Sequence, residues 1–322
     1  AMLVERDVPL SDVVWYRIGG PARVLLSVRD APGLERAIAF VERQRPPRLL
    51  VIGRGSNLLM PDGPFDGIVI RLLGGKLPRN ASRQARTREV FGGALLNDLA
   101  RSTLEDGLTG LEWAGGLPGT VGAALRGNAG AFGGTMADRV RRVTVVALEA
   151  GGCQLLELDR AAMRFGYRDS LLKHESDWIV LRASFELQPA AAADLEEAWR
   201  AYQRHVAYRR RRHPLEYPNC GSVFKNLTEP AEIARVLERW PDLSEQVRDE
   251  WHGKVPVAAV IARLGLAGLT VGGAQLSTRH QNFIVNLGGA TAADVRAVIA
   301  RVRDAVECAL GLNPQLEIEL ID

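Results

Sequence analysis

Short apolar runs and helical spacing take turns along the chain. Residues 23–28, 49–52 and 68–70 read as strands, the second of a fully buried type. Between the first two, helical periodicity runs from Pro32 to about Arg43, and Asp30 stands where an N-cap belongs. Residues 95–104 repeat the helical pattern, with Gly107 as a stop. Strands follow at 140–148, 153–158 and 179–187; in the last, Leu181, Ala183, Phe185 and Leu187 alternate with polar residues, as a half-buried strand requires. A long helix from about Asp194 ends before Pro214. The remainder mixes both patterns: a strand at 222–226, helices near 231–239 and 257–264, and a strand at 283–286. A helix begun by Thr291 and Asp294, which are spaced as a capping box, runs to about Leu310, and a closing strand is expected at 315–321.

This order predicts an α+β protein in three parts. Residues 1–78, joined by a closing strand at 314–322, form one lobe; residues 79–192 form a second; residues 193–313 form a separate domain. The polar, arginine-rich stretch at 79–88 reads as a boundary or an exposed hairpin, and residues 228–256 as a lid or a surface helix pair.

Composition removes several function classes. A length of 322 residues supports two or three compact units. No run of about 18 apolar residues exists, and residues 1–7 lack the pattern of a signal peptide, so a cytoplasmic protein without a membrane span is expected. The net charge of +3, from 41 basic and 38 acidic residues, gives no general reason to bind nucleic acid. Cys153, Cys220 and Cys308 are far apart, without metal-ligand spacing, and read as buried free thiols.

Glycine is the informative residue. Nine of the 33 glycines fall between Gly110 and Gly134. Gly53-Arg54-Gly55-Ser56-Asn57 follows a strand, yet it is no dinucleotide-fold fingerprint, because Leu58 replaces the third glycine and no acidic residue ends a later strand at the right distance. Two readings fit it: a tight turn, or a nest of backbone N–H groups facing phosphate oxygens. The second segment runs from Gly115 through Pro118, Gly119, Thr120 and Gly122 to Asn128 and Gly130. Two such loops suit a large dinucleotide gripped at its pyrophosphate, although glycines also permit tight helix–strand packing.

The ordered motifs carry a closer likeness. Tyr16-Arg17-Ile18-Gly19-Gly20, Gly53 to Leu59, Gly116 to Gly122 with Asn128 to Ala131, Gly166-Tyr167-Arg168-Asp169-Ser170, Cys220-Gly221-Ser222-Val223-Phe224-Lys225-Asn226 and Gly272 to Ser277 with His280 and Asn282 to Asn286 resemble, in order, the UDP-N-acetylenolpyruvoylglucosamine reductase family. The resemblance implies a two-lobed FAD-binding domain of the vanillyl-alcohol-oxidase type, a C-terminal α+β substrate-binding domain, non-covalent FAD and NADPH as hydride donor. The short segment between Arg168 and the long helix resembles the subgroup without an extra tyrosine-bearing substrate loop.

That likeness assigns roles. Arg168 and Glu317 would stabilise an enolate, and Ser222 would donate a proton. Gly53, Arg54, Gly55, Ser56, Asn57, Leu58, Gly115, Pro118, Gly119, Thr120, Gly122, Asn128 and Gly130 would hold the cofactor. Tyr167, Arg209, Asn226 and His280 would meet the substrate, a UDP-sugar. Plainer readings stand beside several of these. A serine at 222 also suits a backbone-bonded hydroxyl, Glu319 shares the strand face of Glu317, and a lone histidine is often structural. The run Arg209 to Arg212 also fits solvated cations at a helix C-terminus. No metal is implied, and a monomer is expected. Leu227 after Asn226, where the family usually has proline, and the closing Asp322 depart from its pattern without removing a catalytic residue.

Overall fold

The computed structural model describes residues 2–77, 86–149 and 152–322. The chain forms two compact units. The first comprises residues 1–8, 22–54 and 65–211, and the second 9–21, 55–64 and 212–322.

The first unit holds two four-stranded sheets. One is built from β1 (Met2–Pro9), β2 (Pro21–Val28), β3 (Leu49–Ile52) and β4 (Phe65–Leu72) in the order β1-β2-β4-β3. Strands β2 and β3 both run parallel to the central β4, which accounts for the unbroken apolar run Ile68-Val69-Ile70. Helix α1 (Ala31–Gln44) is the crossover between β2 and β3; Asp30 caps it by accepting the Gly33 N–H at 2.8 Å. The other sheet, antiparallel throughout, uses β5 (Thr87–Phe91), β6 (Val140–Glu149), β7 (Gly152–Asp159) and β8 (Trp178–Glu186) in the order β7-β6-β8-β5. Helices α2 (Leu96–Glu105) and α3 (Val121–Arg126) bury Leu99, Leu104, Val121 and Leu125 in its core. Val146 and Ile179 reach from this sheet into the core of the first, so the two lobes share apolar contact.

The long helix α4 (Ala192–Arg212) packs within this first unit, not with the C-terminal part to which the sequence assigns it. The reason is its inner face. Tyr202 donates to Asn97 Oδ1 at 3.0 Å, His205 pairs with the Glu112 carbonyl at 3.0 Å, and Arg209 Nε donates to the Gly115 carbonyl at 3.1 Å. These spacings place all three side chains on one side of the helix.

The second unit has one core, formed by α5 (Pro230–Arg239), α6 (Ser244–Asp249), α7 (Val257–Arg263), α8 (Ala292–Leu310) and a three-stranded antiparallel sheet. That sheet is β9 (Thr270–Val271), β10 (Ala274–Leu276) and β11 (Ile284–Asn286). Tyr16, Ile18 and Leu59, from the two early segments, complete the core. Residues 228–256 are part of it through Val236, Leu243, Val247 and Val255, so of the two readings the helix pair, α5 with α6, is the one that forms, packed on the core and not as a lid. The closing segment joins this unit as well. Only Glu319–Leu320 is a strand, parallel to Leu58–Leu59.

Residues 222–226 do not form the expected strand; Phe224 makes one isolated bridge to Leu316. Residues 79–85 of the expected boundary stretch lie outside the described residues, and 87–91 are strand β5. Of the cysteines only Cys220 is buried, because Cys153 lies on the edge strand β7 and Cys308 on an outer face of α8. No described helix is long and apolar enough to cross a membrane.

Candidate active site

In the first unit, the second glycine segment and the tyrosine–arginine turn are locked together. Asn128, which is buried with φ of 41°, donates to the Gly166 carbonyl at 2.8 Å and accepts the Ala137 N–H at 3.1 Å. Its amide therefore shapes the turn that carries Tyr167 and Arg168. That turn closes on itself, with the Gly166 N–H donating to the Asp169 carbonyl at 3.0 Å. Arg168 has φ of 54°, and its guanidinium donates to the Gly130 carbonyl at 2.7 Å while lying 5.3 Å from the Tyr167 ring centre. Ser170 and Lys173 fix the turn from below through the Arg126 and Arg168 carbonyls, each at 2.8 Å.

Arg209 joins this group. Burial first, then the positive charge of Arg168, lowers its pKa to about 10. Two arginines whose charges oppose each other define a place where an anion is favoured. The structure thereby separates Arg209 from its neighbours, since Arg210, Arg211 and Arg212 are exposed. Phe132, at the tip of the hairpin between Gly130–Ala131 and Gly134–Thr135, stacks on His205 at 3.9 Å and lies 5.4 Å from Arg209. This aromatic contact is not legible in the sequence, because its partners are some 70 residues apart and share no helical or strand periodicity.

The glycines of these loops are required by packing at several points. A Cβ on Gly53 would meet Thr120 Oγ1 at 2.4 Å, and one on Gly116, where φ is +77°, would meet Arg209 Cδ at 2.9 Å. Thr120 also caps α3, accepting the Ala123 N–H at 3.4 Å. Gly119 gives its carbonyl to the Leu96 N–H at 3.0 Å, while Gly115 accepts Arg209 as described; Pro118 and Gly122 lie beside them in the same loop and helix start.

In the second unit, Gly55, with φ of +62°, opens the segment Ser56-Asn57-Leu58. The N–H groups of Gly55, Ser56 and Asn57 make no main-chain hydrogen bond among the described residues. Successive donors of this kind are what the phosphate oxygens of a dinucleotide accept, so the segment is chemically suited to an FAD pyrophosphate. Arg54 precedes them at the end of the first unit's segment.

Asn57 does more than line a nest. Its side chain donates to the Glu317 carbonyl at 3.1 Å, and its own carbonyl accepts the Glu319 N–H at 3.0 Å. The Glu317 N–H donates to the Val223 carbonyl at 2.8 Å, and the Lys225 N–H to the Gln315 carbonyl at 2.8 Å. The backbone next to Ser222 is thus joined to Glu317, while the Glu319 backbone is joined to the glycine loop. Asn226 is partly buried at the end of the same segment.

His280 packs against His213 and Phe283, with ring centres 5.5 and 4.7 Å away. Burial lowers its pKa, with Arg212 adding to the effect, so the ring favours its neutral form. Its Nδ1 accepts the Asn282 N–H at 3.3 Å, which gives it a structural hydrogen bond. The Cys220 thiol is enclosed beside Tyr16, and burial pushes both pKa values up. Burial of this kind disfavours the thiolate, the reactive form of a cysteine. No cluster of metal-ligating side chains occurs among the described residues.

Comparison with known proteins fits this division. The family model described as FAD binding domain matches residues 22–156, and that of the UDP-N-acetylenolpyruvoylglucosamine reductase C-terminal domain matches residues 213–321. The class is therefore a flavoprotein, in which a two-lobed FAD-binding region precedes a reductase-type C-terminal domain. A UDP-N-acetylenolpyruvoylglucosamine reductase of Parasynechococcus marenigrum is 37% identical over 99% of this chain and 96% of its own length. A second, from Symbiobacterium thermophilum, is 38% identical over 98% of this chain and 92% of its own. The crystal structure of the corresponding reductase from Thermus caldophilus matches all of both chains, with 31% identity and a TM-score of 0.73. The chain belongs to the UDP-N-acetylenolpyruvoylglucosamine reductase family, whose members use FAD and NADPH.

Proposed function

We propose that this chain reduces UDP-N-acetylglucosamine enolpyruvate to UDP-N-acetylmuramate with NADPH, in the synthesis of peptidoglycan precursors. Non-covalent FAD, when bound, supplies the relay that carries a hydride from NADPH to C3 of the enolpyruvyl ether. The backbone of Gly53 to Leu58 and of Gly115 to Gly130, including Arg54, Pro118, Gly119, Thr120, Gly122 and Asn128, is the part of the chain that holds it.

Hydride addition at C3 leaves an electron pair at C2, spread into the neighbouring carboxylate. Arg168 meets that charge with a planar, permanently cationic fork, and Glu317 shares the task as a neutral carboxyl that donates a hydrogen bond to the enolate. Ser222 gives its hydroxyl proton to C2 and is reprotonated from solvent. Arg209 and Tyr167 bind the diphosphate, and Asn226 and His280 orient the substrate. The enzyme acts as a monomer in the cytoplasm.

The observation that carries this reading is the 2.8 Å hydrogen bond from the Glu317 N–H to the Val223 carbonyl. It keeps the serine segment and the glutamate on adjoining stretches of backbone. The test reduces the enzyme anaerobically with NADPH, adds the enolpyruvyl substrate and follows flavin reoxidation. Ser222→Ala should retain flavin reduction while substrate turnover falls by about 10² to 10⁴, the range for a lost positioned acid. Ser222→Cys should recover part of it. Reoxidation of the alanine variant at the wild-type rate would remove Ser222 from the acid's role.

A further inference from the structure

Residues 221–225 carry the serine yet belong to no strand, so their conformation needs another source. It lies in Asn282, two residues after His280. The Val223 N–H donates to the Asn282 carbonyl at 2.8 Å. The Phe224 N–H donates to Asn282 Oδ1 at 2.9 Å, and Asn282 Nδ2 donates to the Phe224 carbonyl at 2.8 Å. One residue, only 3% exposed, thus makes three hydrogen bonds to the two residues after Ser222. A primary amide presents a donor and an acceptor in one plane, much as a neighbouring strand would, which lets it replace the missing sheet partner. On the other side of Ser222, the Gly221 N–H donates to Asn219 Oδ1 at 3.0 Å, and Asn219 is itself buried. The serine is therefore bracketed by peptides whose partners are fixed in the core of the second unit.

We propose that Asn282 is a positioning residue for the reduction: it sets the backbone that carries Ser222 and acts on the reaction only through that hydroxyl. The inference rests on the reading in which Ser222 is the acid. Burial makes the clamp stiff, because water does not replace a lost bond at Phe224 without opening the core. A displacement of about 1 Å at the proton donor is enough to slow the step by on the order of 10²-fold.

The experiment is single-turnover kinetics on the FAD-loaded full chain. Flavin is reduced with NADPH, then mixed with UDP-N-acetylglucosamine enolpyruvate, for wild type, Ser222→Ala, Asn282→Ala and the double variant. Asn282→Ala should slow reoxidation by about 10- to 100-fold while flavin reduction by NADPH stays within about twofold. In the Ser222→Ala background the same change should cost nothing further, since its effect passes through a hydroxyl already removed. An equal loss in both backgrounds, or an equal loss in both half-reactions, would mean that Asn282 only supports the fold, and the proposal falls. Should Asn282→Ala not fold, Asn282→Asp keeps the acceptor for the Phe224 N–H and loses the donor. It should show a smaller slowing of reoxidation alone, and wild-type behaviour would overturn the proposal equally. Wild-type reoxidation by Asn282→Ala beside a slow Ser222→Ala sinks only this inference. Wild-type reoxidation by Ser222→Ala sinks the acid assignment beneath it as well.

Discussion

At the scale of single residues, the two arginines of the first unit have different duties although both are cations near one place. Arg209 is anchored by its Nε to the Gly115 carbonyl, and burial together with Arg168 weakens its hold on its proton. Arg168 stands on a turn with φ of 54° and bonds the Gly130 carbonyl through a terminal nitrogen. One edge of its fork is thereby used for placement, and planarity matters for whatever the guanidinium meets. Lysine at this position would keep the charge and lose both the second donor and the plane. Arg168→Lys should therefore slow reoxidation of reduced enzyme by the enolpyruvyl substrate about 10- to 100-fold, the cost of roughly one bidentate charged contact. Flavin reduction by NADPH should be spared. Stopped-flow measurement of the two half-reactions decides it, and equal loss in both would move Arg168 out of the substrate site.

At the scale of elements, what could be read from the sequence depended on how local the governing interaction is. Helices α1 and α8 were plain in the sequence, because Asp30 caps the Gly33 N–H, and Thr291 and Asp294 form a reciprocal capping box within four residues. The parallel strands around β4 were equally readable from continuous apolar runs. The segment at 222–226 has the pattern of a strand but forms none, because the partner of its Phe224 backbone is a side chain 58 positions away. The closing strand shrinks to two residues for a related reason: the Glu317 N–H turns to Val223, and only from Glu319 does the backbone pair with Leu58. Strand β1 went unnoticed, since Glu5, Arg6 and Asp7 interrupt any alternation. The sites followed the same rule. Ser222, Arg168 and Glu317 are assigned by motif alone, whereas the hydrogen bonds of Asn282 and Asn57 to distant backbone are contacts that no spacing reveals.

The start of α8 shows how distant segments decide an element's strength. Thr291 Oγ1 takes the Asp294 N–H at 3.0 Å, but the Ala292 and Ala293 N–H groups go to the two carboxylate oxygens of Asp62, at 2.6 and 3.1 Å. A helix end leaves four donors to satisfy, and here two depend on a residue about 230 positions earlier. Thr291→Ala should cost about 1 kcal/mol, the usual value of a lost cap. Asp62→Ala orphans two donors and removes an anion from the positive helix end, so it should cost more, about 1.5–2 kcal/mol. Urea unfolding of both variants checks the order; a Thr291→Ala midpoint lower than that of Asp62→Ala would contradict it.

At the scale of the whole molecule, the proposed cofactor site should tie stability to FAD through the glycine-rich loops. Neither Gly53 to Leu59 nor Gly115 to Gly134 contains a histidine or cysteine, and Cys220 is enclosed, so no side chain there is placed to form a covalent bond to flavin. FAD then stabilises the native chain only by mass action, as a ligand of the folded state. That relation gives about 2.7 kcal/mol at a free concentration 100 times the dissociation constant, and nothing when the ligand is removed. The apoprotein should consequently melt at a lower temperature than the holoprotein, with a midpoint that climbs as FAD is added back. Acid or heat denaturation should leave all the flavin in the supernatant. The two measurements can fail separately. Flavin retained on the precipitated chain would disprove non-covalent binding, whereas a midpoint indifferent to added FAD would mean that these loops hold their shape without it and that some other part of the chain binds the cofactor.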